Sequence, residues 1–311
     1  MDALAVVLEE PERLSLRRLD LVPPAEADVV VDIEWSGIST GTERLLWSGR
    51  MPPFPGMGYP LVPGYESVGR VAAAGAASGA TVGERVFVPG ARCFGPVNGL
   101  FGGAASRVVV PGAKILPVGE GLGEEAVLLA LAATAYHAIA GGRHPDLIVG
   151  HGVLGRLLAR IAVAVDVAPP TVWETNTERH AGAMGYQVVH PEADLRRDYR
   201  AIYDVSGDGT LLDSLITRLA KGGEVVLAGF YSERLSFAFP PAFMREARIR
   251  IAAEWRELDL IAVRDLIDSG KLSLAGLITH RHAADKADLA YRTAFGDPAC
   301  LKMILDWRGH A

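Results

Sequence analysis

Residues 147–155 read LIVGHGVLG: a short apolar run, then Gly150-x-Gly152-x-x-Gly155, then a helix-like run over 153–165. An acidic residue, Glu174, closes the next apolar segment. Each glycine has its own physical task. The first admits a tight turn from strand to helix, the second lets a pyrophosphate reach the backbone, and the third lets helix and strand pack closely. The helix N-terminus then presents N–H groups to the phosphates. Glu174 lies 24 residues after Gly150 (174 − 150), where a carboxylate accepts hydrogen bonds from the adenosine ribose and repels a 2′-phosphate. The stretch predicts a dinucleotide site that favours NAD over NADP. Its candidate residues are Gly150, His151, Gly152, Val153, Leu154, Gly155 and Glu174. Arg179 is a candidate to flank the adenine, with a surface helix position as the equal alternative; Ser206 and Gly229 follow later strands on the edge where nucleotides bind.

Around this stretch the chain alternates strand and helix. Apolar runs at 171–173, 187–189, 201–204, 224–228 and 248–252 follow the first, with helical stretches between several of them. That alternation means a parallel, doubly wound sheet, so the fold class is α/β. Upstream, residues 1–118 carry valine-bearing runs at 4–8, 29–34, 68–73, 85–88 and 107–110, broken by glycine and proline, as in a β-rich domain. Downstream come helical stretches at 258–269 and 285–295 and apolar segments at 272–281 and 300–305. The reading is two domains: 1–118 with 256–311, and 119–255 for the dinucleotide.

Composition excludes several classes. Thirty-one basic and 37 acidic residues give a net charge of −6, with no basic stripe for nucleic acid. Cys93 and Cys300 are too few and too far apart for a disulfide framework or a cysteine-built metal site, so a reducing cytoplasm is expected. The N-terminus has acids where a signal peptide needs bases, and the apolar run 126–140 is short and contains His137. No transmembrane segment is expected.

Several strings then resemble one superfamily along nearly the whole chain. Ser36-Gly37-Ile38-Ser39 is similar to an SGIC segment, Val62-Pro63-Gly64-Tyr65-Glu66 to an LGHE segment, the run 132–138 to the helix entering the nucleotide domain, and Lys221-Gly222-Gly223-Glu224 to a PGG strand approach. These resemble the medium-chain dehydrogenase/reductase superfamily. The resemblance implies a GroES-like catalytic domain beside a Rossmann domain, and hydride transfer between an alcohol and a nicotinamide cofactor. The string at 37–71, the histidine in GHGVLG and the turn WETNTER resemble the branch that works in bacteriochlorophyll biosynthesis. That resemblance implies NAD-dependent oxidation of the 1-hydroxyethyl side chain of a tetrapyrrole, a bacteriochlorophyllide precursor, to an acetyl group, by a homodimer.

The departures from the superfamily's zinc members shape the chemistry. A cysteine, the histidine of GHE and a third ligand hold catalytic zinc there; this chain offers Ser39 or Thr40, Tyr65 and Ala130. Hydroxyls and a methyl do not make such a site, and the loop 89–103 holds a single cysteine where structural zinc needs four. The expectation is no metal. A hydroxyl relay or a carboxylate must then take the proton as hydride leaves. The candidates are Ser39, Thr42, Tyr65 and Glu66, with Tyr65 beside the reacting oxygen and Glu66 or Thr42 passing the proton on. The plain alternative is that Tyr65 fills the space left by the metal and Glu66 holds a structural arginine.

Residues 47–60, WSGRMPPFPGMGYP, cannot form a regular helix or central strand, yet carry Trp47, Met51, Phe54, Met57 and Tyr59. They are read either as an apolar wall for a flat macrocycle or as an irregular packed lid or subunit contact. His151 is expected to face solvent beside the phosphates, with donation to the pyrophosphate or an approach to the substrate as the alternatives. His137 is expected to be a satisfied core histidine. His280 and His282 share one strand face without a third ligand. Other medium-chain alcohol, polyol or quinone enzymes, or a non-catalytic NAD or tetrapyrrole binder, remain alternatives on sequence.

Overall fold

The computed structural model describes residues 1–53 and 56–310. Phe54 therefore lies outside the described residues. The chain forms two compact units, Met1–Ala130 with Leu277–Ala311, and Leu131–Gly276. These boundaries fall later than the 118/119 and 255/256 read from composition, for identifiable reasons. Glu120 and Glu124 are tied into the first unit by Arg70 and Arg281. In the second unit, His137 meets Asp259 at 2.8 Å and Arg160 donates to the carbonyls of Ser273 and Ala275.

The first unit opens with β1 (Asp2–Glu10), β2 (Arg13–Asp20), β3 (Asp28–Ile38), the short helix α1 (Thr42–Trp47), β4 (Leu61–Val62), β5 (Ser67–Ala74), β6 (Arg85–Val88), β7 (Asn98–Gly99), β8 (Arg107–Pro111) and β9 (Leu116–Pro117). One sheet runs β2-β1-β4-β7. The other is built round β3, which pairs β5 along one edge and, on the other, β8 over Asp28–Asp32 and a later strand over Trp35–Ile38. A strand paired on both edges and covered on both faces must be apolar on both, and Val29, Val30, Val31 and Ile33 are at most 2% exposed. No sequence signal marks β2: its residues RLSLRRLD are largely solvated and lack a clean apolar alternation.

Helix α2 (Leu129–Ile139) carries the chain into the second unit. The stretch Glu120–Ile139 is long and apolar enough to cross a membrane, but more than half of it is buried inside the fold, as a core helix would be. Then come β10 (Leu147–Val149), α3 (Val153–Ala164), β11 (Thr171–Trp173), β12 (Gln187–Val189), β13 (Tyr199–Asp204), α4 (Leu212–Arg218), β14 (Leu219–Leu227), α5 (Phe239–Met244), β15 (Arg248–Ile251) and α6 (Glu257–Asp268). All neighbours in this six-stranded sheet are parallel, in the order β12-β11-β10-β13-β14-β15. Counted from β10, that order is 3-2-1-4-5-6, which places a topological switch point between β10 and β13. The links from β11 to β12 and from β12 to β13 contain single 3₁₀ turns and no α-helix.

The chain returns to the first unit through β16 (His280–Ala283), α7 (Ala287–Gly296) and β17 (Met303–Asp306). β17 is the strand that completes the second edge of β3, with Met303 opposite Ile38 and Leu305 opposite Ser36. This pairing brings Lys302 and Tyr291, far along the sequence, up against residues 36–43 and 65–66.

Candidate functional site

In the second unit the glycine loop has the geometry its spacing predicts. Gly150 has φ +106°, a conformation open to glycine. A Cβ on Gly155 would stand 1.8 Å from the Gly150 carbonyl oxygen, so helix and loop touch there. Gly152 is the N-cap of α3, has no side-chain cap, and its missing Cβ would point into open space. A cradle of bare N–H groups at the N-terminus of a twelve-residue helix suits a pyrophosphate. Val153 and Leu154 begin that helix. A Cβ on Gly150 would lie 3.4 Å from Ser206, and one on Gly229 3.4 Å from Gly207, so the segments after β10, β13 and β14 stand side by side. Asp204, buried at the end of β13, holds Ser206 in place by accepting from its N–H at 2.9 Å and its hydroxyl at 2.6 Å. Burial raises the Asp204 carboxyl above its ordinary value.

Glu174 closes β11, and its carboxylate accepts from the His151 N–H at 3.1 Å and the Asn176 N–H at 2.9 Å. It thus fixes the glycine loop to the second strand. His151 corrects the expectation of a solvent-facing side chain: it is fully buried. Its Nδ1 stands 2.6 Å from the Arg179 carbonyl oxygen, which only accepts, so Nδ1 donates and Nε2 accepts from the Tyr186 hydroxyl at 2.9 Å. Burial pushes its pKa down to about 4, so the ring is neutral. The side chain braces the loop and has no lone pair or proton left for a phosphate. Arg179 enters through its backbone carbonyl, which also accepts from Arg156 at 2.9 Å; its half-buried side chain is not brought to an adenine site by any of these bonds. Buried Arg156 and Arg160 carry no sequence signal because an arginine inside an apolar helix pattern reads as its solvated face; here both donate to backbone carbonyls, and Arg160 also bonds the Tyr186 side chain.

In the first unit, three of the four candidates for proton handling come together. The Tyr65 hydroxyl stands 2.8 Å from Ser39 Oγ and 3.5 Å from Thr42 Oγ1. Phe101 packs edge-on to the Tyr65 ring at 5.3 Å. Burial, and next the nearby Glu66 charge, hold the Tyr65 phenol well above its ordinary pKa, against the lowering pull of its two hydroxyl partners. Tyr65 is thus a neutral hydrogen-bonding group at working pH.

Glu66, the fourth candidate for proton handling, is engaged in an ion pair. It is fully buried, and Lys302 Nζ lies 2.6 Å from Oε2 while also donating to the Ile38 carbonyl at 3.2 Å. Its other oxygen, Oε1, has no hydrogen-bond partner among the described residues. The ion-pair partner of Glu66 is a lysine, where the plain alternative names an arginine. The partner was illegible because Lys302 is 236 residues away in sequence. A second buried acid, Glu43, was also missed, since its position in TERLLW reads as the solvated face of a short helix.

The apolar segment divides. Trp47 and Met51 are buried in the core of the first unit, Trp47 against Tyr291 and Phe295, which corrects their reading as a ligand wall. They turn inward because α1 ends at Trp47 and lays its apolar side on the core. Met57 and Tyr59 are half-buried at its margin, and the Tyr59 hydroxyl donates to the Leu46 carbonyl. His137 is the satisfied histidine expected, paired with Asp259.

The donor set does not fit a catalytic zinc. Ser39 and Tyr65 hydrogen-bond each other, Ala130 is a buried methyl, and among the described residues no three His, Cys, Asp or Glu side chains converge to hold a metal.

Residues 25–120 match the family of the alcohol dehydrogenase GroES-like domain. An alcohol dehydrogenase from Escherichia coli CFT073, solved with NADH, superposes with a TM-score of 0.84 over 98% of this chain and 99% of that one at 21% identity, a likeness of fold. The protein is a GroES-like dehydrogenase of the medium-chain class, whose members bind NAD(P). Over its full length it is 58% identical to the 2-desacetyl-2-hydroxyethyl bacteriochlorophyllide A dehydrogenase of Cereibacter sphaeroides, covering all of both chains, and 58% identical to that of Rhodobacter capsulatus, covering 99% of each. The chain belongs to this family of hydroxyethyl bacteriochlorophyllide dehydrogenases.

Proposed function

We propose that the protein oxidises the hydroxyethyl substituent of a bacteriochlorophyllide precursor to the acetyl group, with NAD as hydride acceptor and without a catalytic metal. The substrate follows from membership of a family sharing 58% of this sequence end to end. NAD is favoured by Glu174, whose negative charge closes β11 beside the glycine loop and opposes a 2′-phosphate. Gly150, Gly152, Gly155 and the N–H groups of Val153 and Leu154 would hold the pyrophosphate, with Ser206 and Gly229 on the same edge. NAD supplies the hydride acceptor when bound.

The observation that carries the metal-free reading is the hydroxyl cluster of Tyr65, Ser39 and Thr42, in which Ser39 and Tyr65 are the residues that the resemblance sets against zinc ligands. As hydride leaves the carbon, the alcohol proton passes to the Tyr65 oxygen, and the Tyr65 proton moves to Ser39 or Thr42 and on to water. A neutral phenol can accept one proton while donating another, so it never has to exist as a phenolate. Among the described residues of the apolar segment, Met57 and Tyr59 are the half-buried side chains left to meet a macrocycle. The working form is a cytoplasmic homodimer: among the described residues β15 pairs only with β14 and ends the parallel sheet, and its Ile251 is 67% exposed, a surface a second copy would cover.

Tyr65→Phe tests the relay. It should lower kcat about a hundredfold with little change in pigment KM, because general acid–base assistance acts in the transition state. An unchanged kcat would move the proton acceptor elsewhere.

A further inference from the structure

One buried acid next to the relay has no part in it so far. Glu43 is fully buried, and both its oxygens are held: Oε1 accepts from the Ser39 N–H at 3.0 Å and Oε2 from the Tyr291 hydroxyl at 2.6 Å. Tyr291 comes from α7, 248 residues further along. The returning helix therefore grips, through one carboxylate, the residue whose hydroxyl meets Tyr65.

We propose that Glu43 is the positioning residue of the proton relay, holding Ser39 against the Tyr65 phenol through the Ser39 amide, with Tyr291 as the partner that holds Glu43. This rests on Tyr65 acting in the relay. Glu43 exchanges no proton with the substrate. Its effect comes from charge and from the direction of its hydrogen bonds.

Burial pushes the Glu43 carboxyl up to about 7, although Tyr291 and the Ser39 amide pull it down; Glu66 adds to the rise and Lys302 opposes it. Glu66, Lys302, Tyr65 and Tyr291 are the titratable groups that face it. Above its midpoint the ionised carboxylate accepts from both donors, and its negative charge makes the Tyr65 oxygen a better proton acceptor. Below the midpoint the new O–H confronts two donors. The Ser39 amide cannot reverse, so the Tyr291 hydroxyl must turn round or the Ser39 contact must break. Alcohol oxidation should therefore rise with pH through the Glu43 titration.

The test combines pH profiles with an optical-independent signal. Glu43→Gln keeps the shape and removes the charge, so the rise in kcat centred near pH 7 in the parent enzyme should vanish from the variant. Tyr291→Phe removes a donor to the charged form, so the same limb should move upward by roughly one to two pH units. With tyrosine labelled by ¹³C at Cζ, the Tyr65 resonance should titrate with that midpoint in the parent and stay flat in Glu43→Gln. Should Glu43→Gln fail to fold, Tyr291→Phe and the parent spectrum decide. A limb that persists in Glu43→Gln, a midpoint that Tyr291→Phe leaves in place, or a Tyr65 resonance that does not titrate with it would overturn the proposal. Failure of the relay reads differently: Tyr65→Phe would keep the parental kcat while the Tyr291 resonance still reported Glu43.

Discussion

Lys302→Met should be among the most damaging single changes in the first unit, and its cost follows from what it leaves behind. Lys302 and Glu66 have side-chain exposures of 2% and 0%, and Nζ lies 2.6 Å from Oε2. Removing the lysine leaves a carboxylate sealed from water with no cation beside it, and Glu66 Oε1 already lacks a partner among the described residues. Breaking a buried pair from one side costs about 3–5 kcal/mol. The Ile38 carbonyl loses its lysine donor as well, which adds about 1 kcal/mol. Glu66→Met added to Lys302→Met removes the stranded charge, and such double replacements recover most of the loss, to within about 1 kcal/mol of the parent. Urea unfolding followed by tryptophan fluorescence reads this region, because Trp307 is fully buried and its Nε1 donates to Ser36 Oγ at 2.8 Å, two residues from Ile38. A Lys302→Met variant within about 1 kcal/mol of the parent, or a double variant no better than the single one, would refute the assignment of Glu66 to structure.

Glu174→Ala should weaken NAD and relax the rejection of NADP, because the ribose loses an acceptor and a negative charge disappears; isothermal titration with both cofactors measures it, and a parent protein that binds NADP more tightly than NAD would contradict the reading. Met51→Ala should cost about 2–5 kcal/mol of stability, as core truncations do, with pigment KM unchanged in folded protein. Met57→Ala should do the reverse, raising pigment KM with NAD affinity nearly unchanged. Steady-state kinetics and thermal unfolding on the pair separate packing from substrate contact.

What the sequence made legible was what local rules decide. The strands at 147–149, 171–173 and 187–189 were read to the residue because each is a short apolar run between turn signals, and the glycine loop because each glycine answers to a steric demand seen again at Gly150 and Gly155. The site residues that escaped are those whose meaning depends on distant partners. Glu43 needs Tyr291 and Glu66 needs Lys302, and both partners arrive on the C-terminal return, whose register on β3 no local pattern specifies. His151 is illegible for a related reason: a histidine between two glycines looks solvated until Tyr186 and the Arg179 carbonyl close over it. Trp47 and Met51 show the converse, since an apolar run rich in proline looks like a binding surface whether its side chains face a ligand or the core.

Turnover after chelation decides whether NAD oxidises the hydroxyethyl tetrapyrrole without a metal. Protein treated exhaustively with a zinc chelator and shown by elemental analysis to hold far less than one zinc per chain is mixed with NAD and the hydroxyethyl bacteriochlorophyllide, and pigment and NADH absorption are followed together. Conversion to the acetyl pigment should be undiminished, with one NADH formed per pigment oxidised, if the reaction is metal-free. Loss of turnover on chelation that one equivalent of zinc restores, or no NADH formation with this pigment, would contradict it.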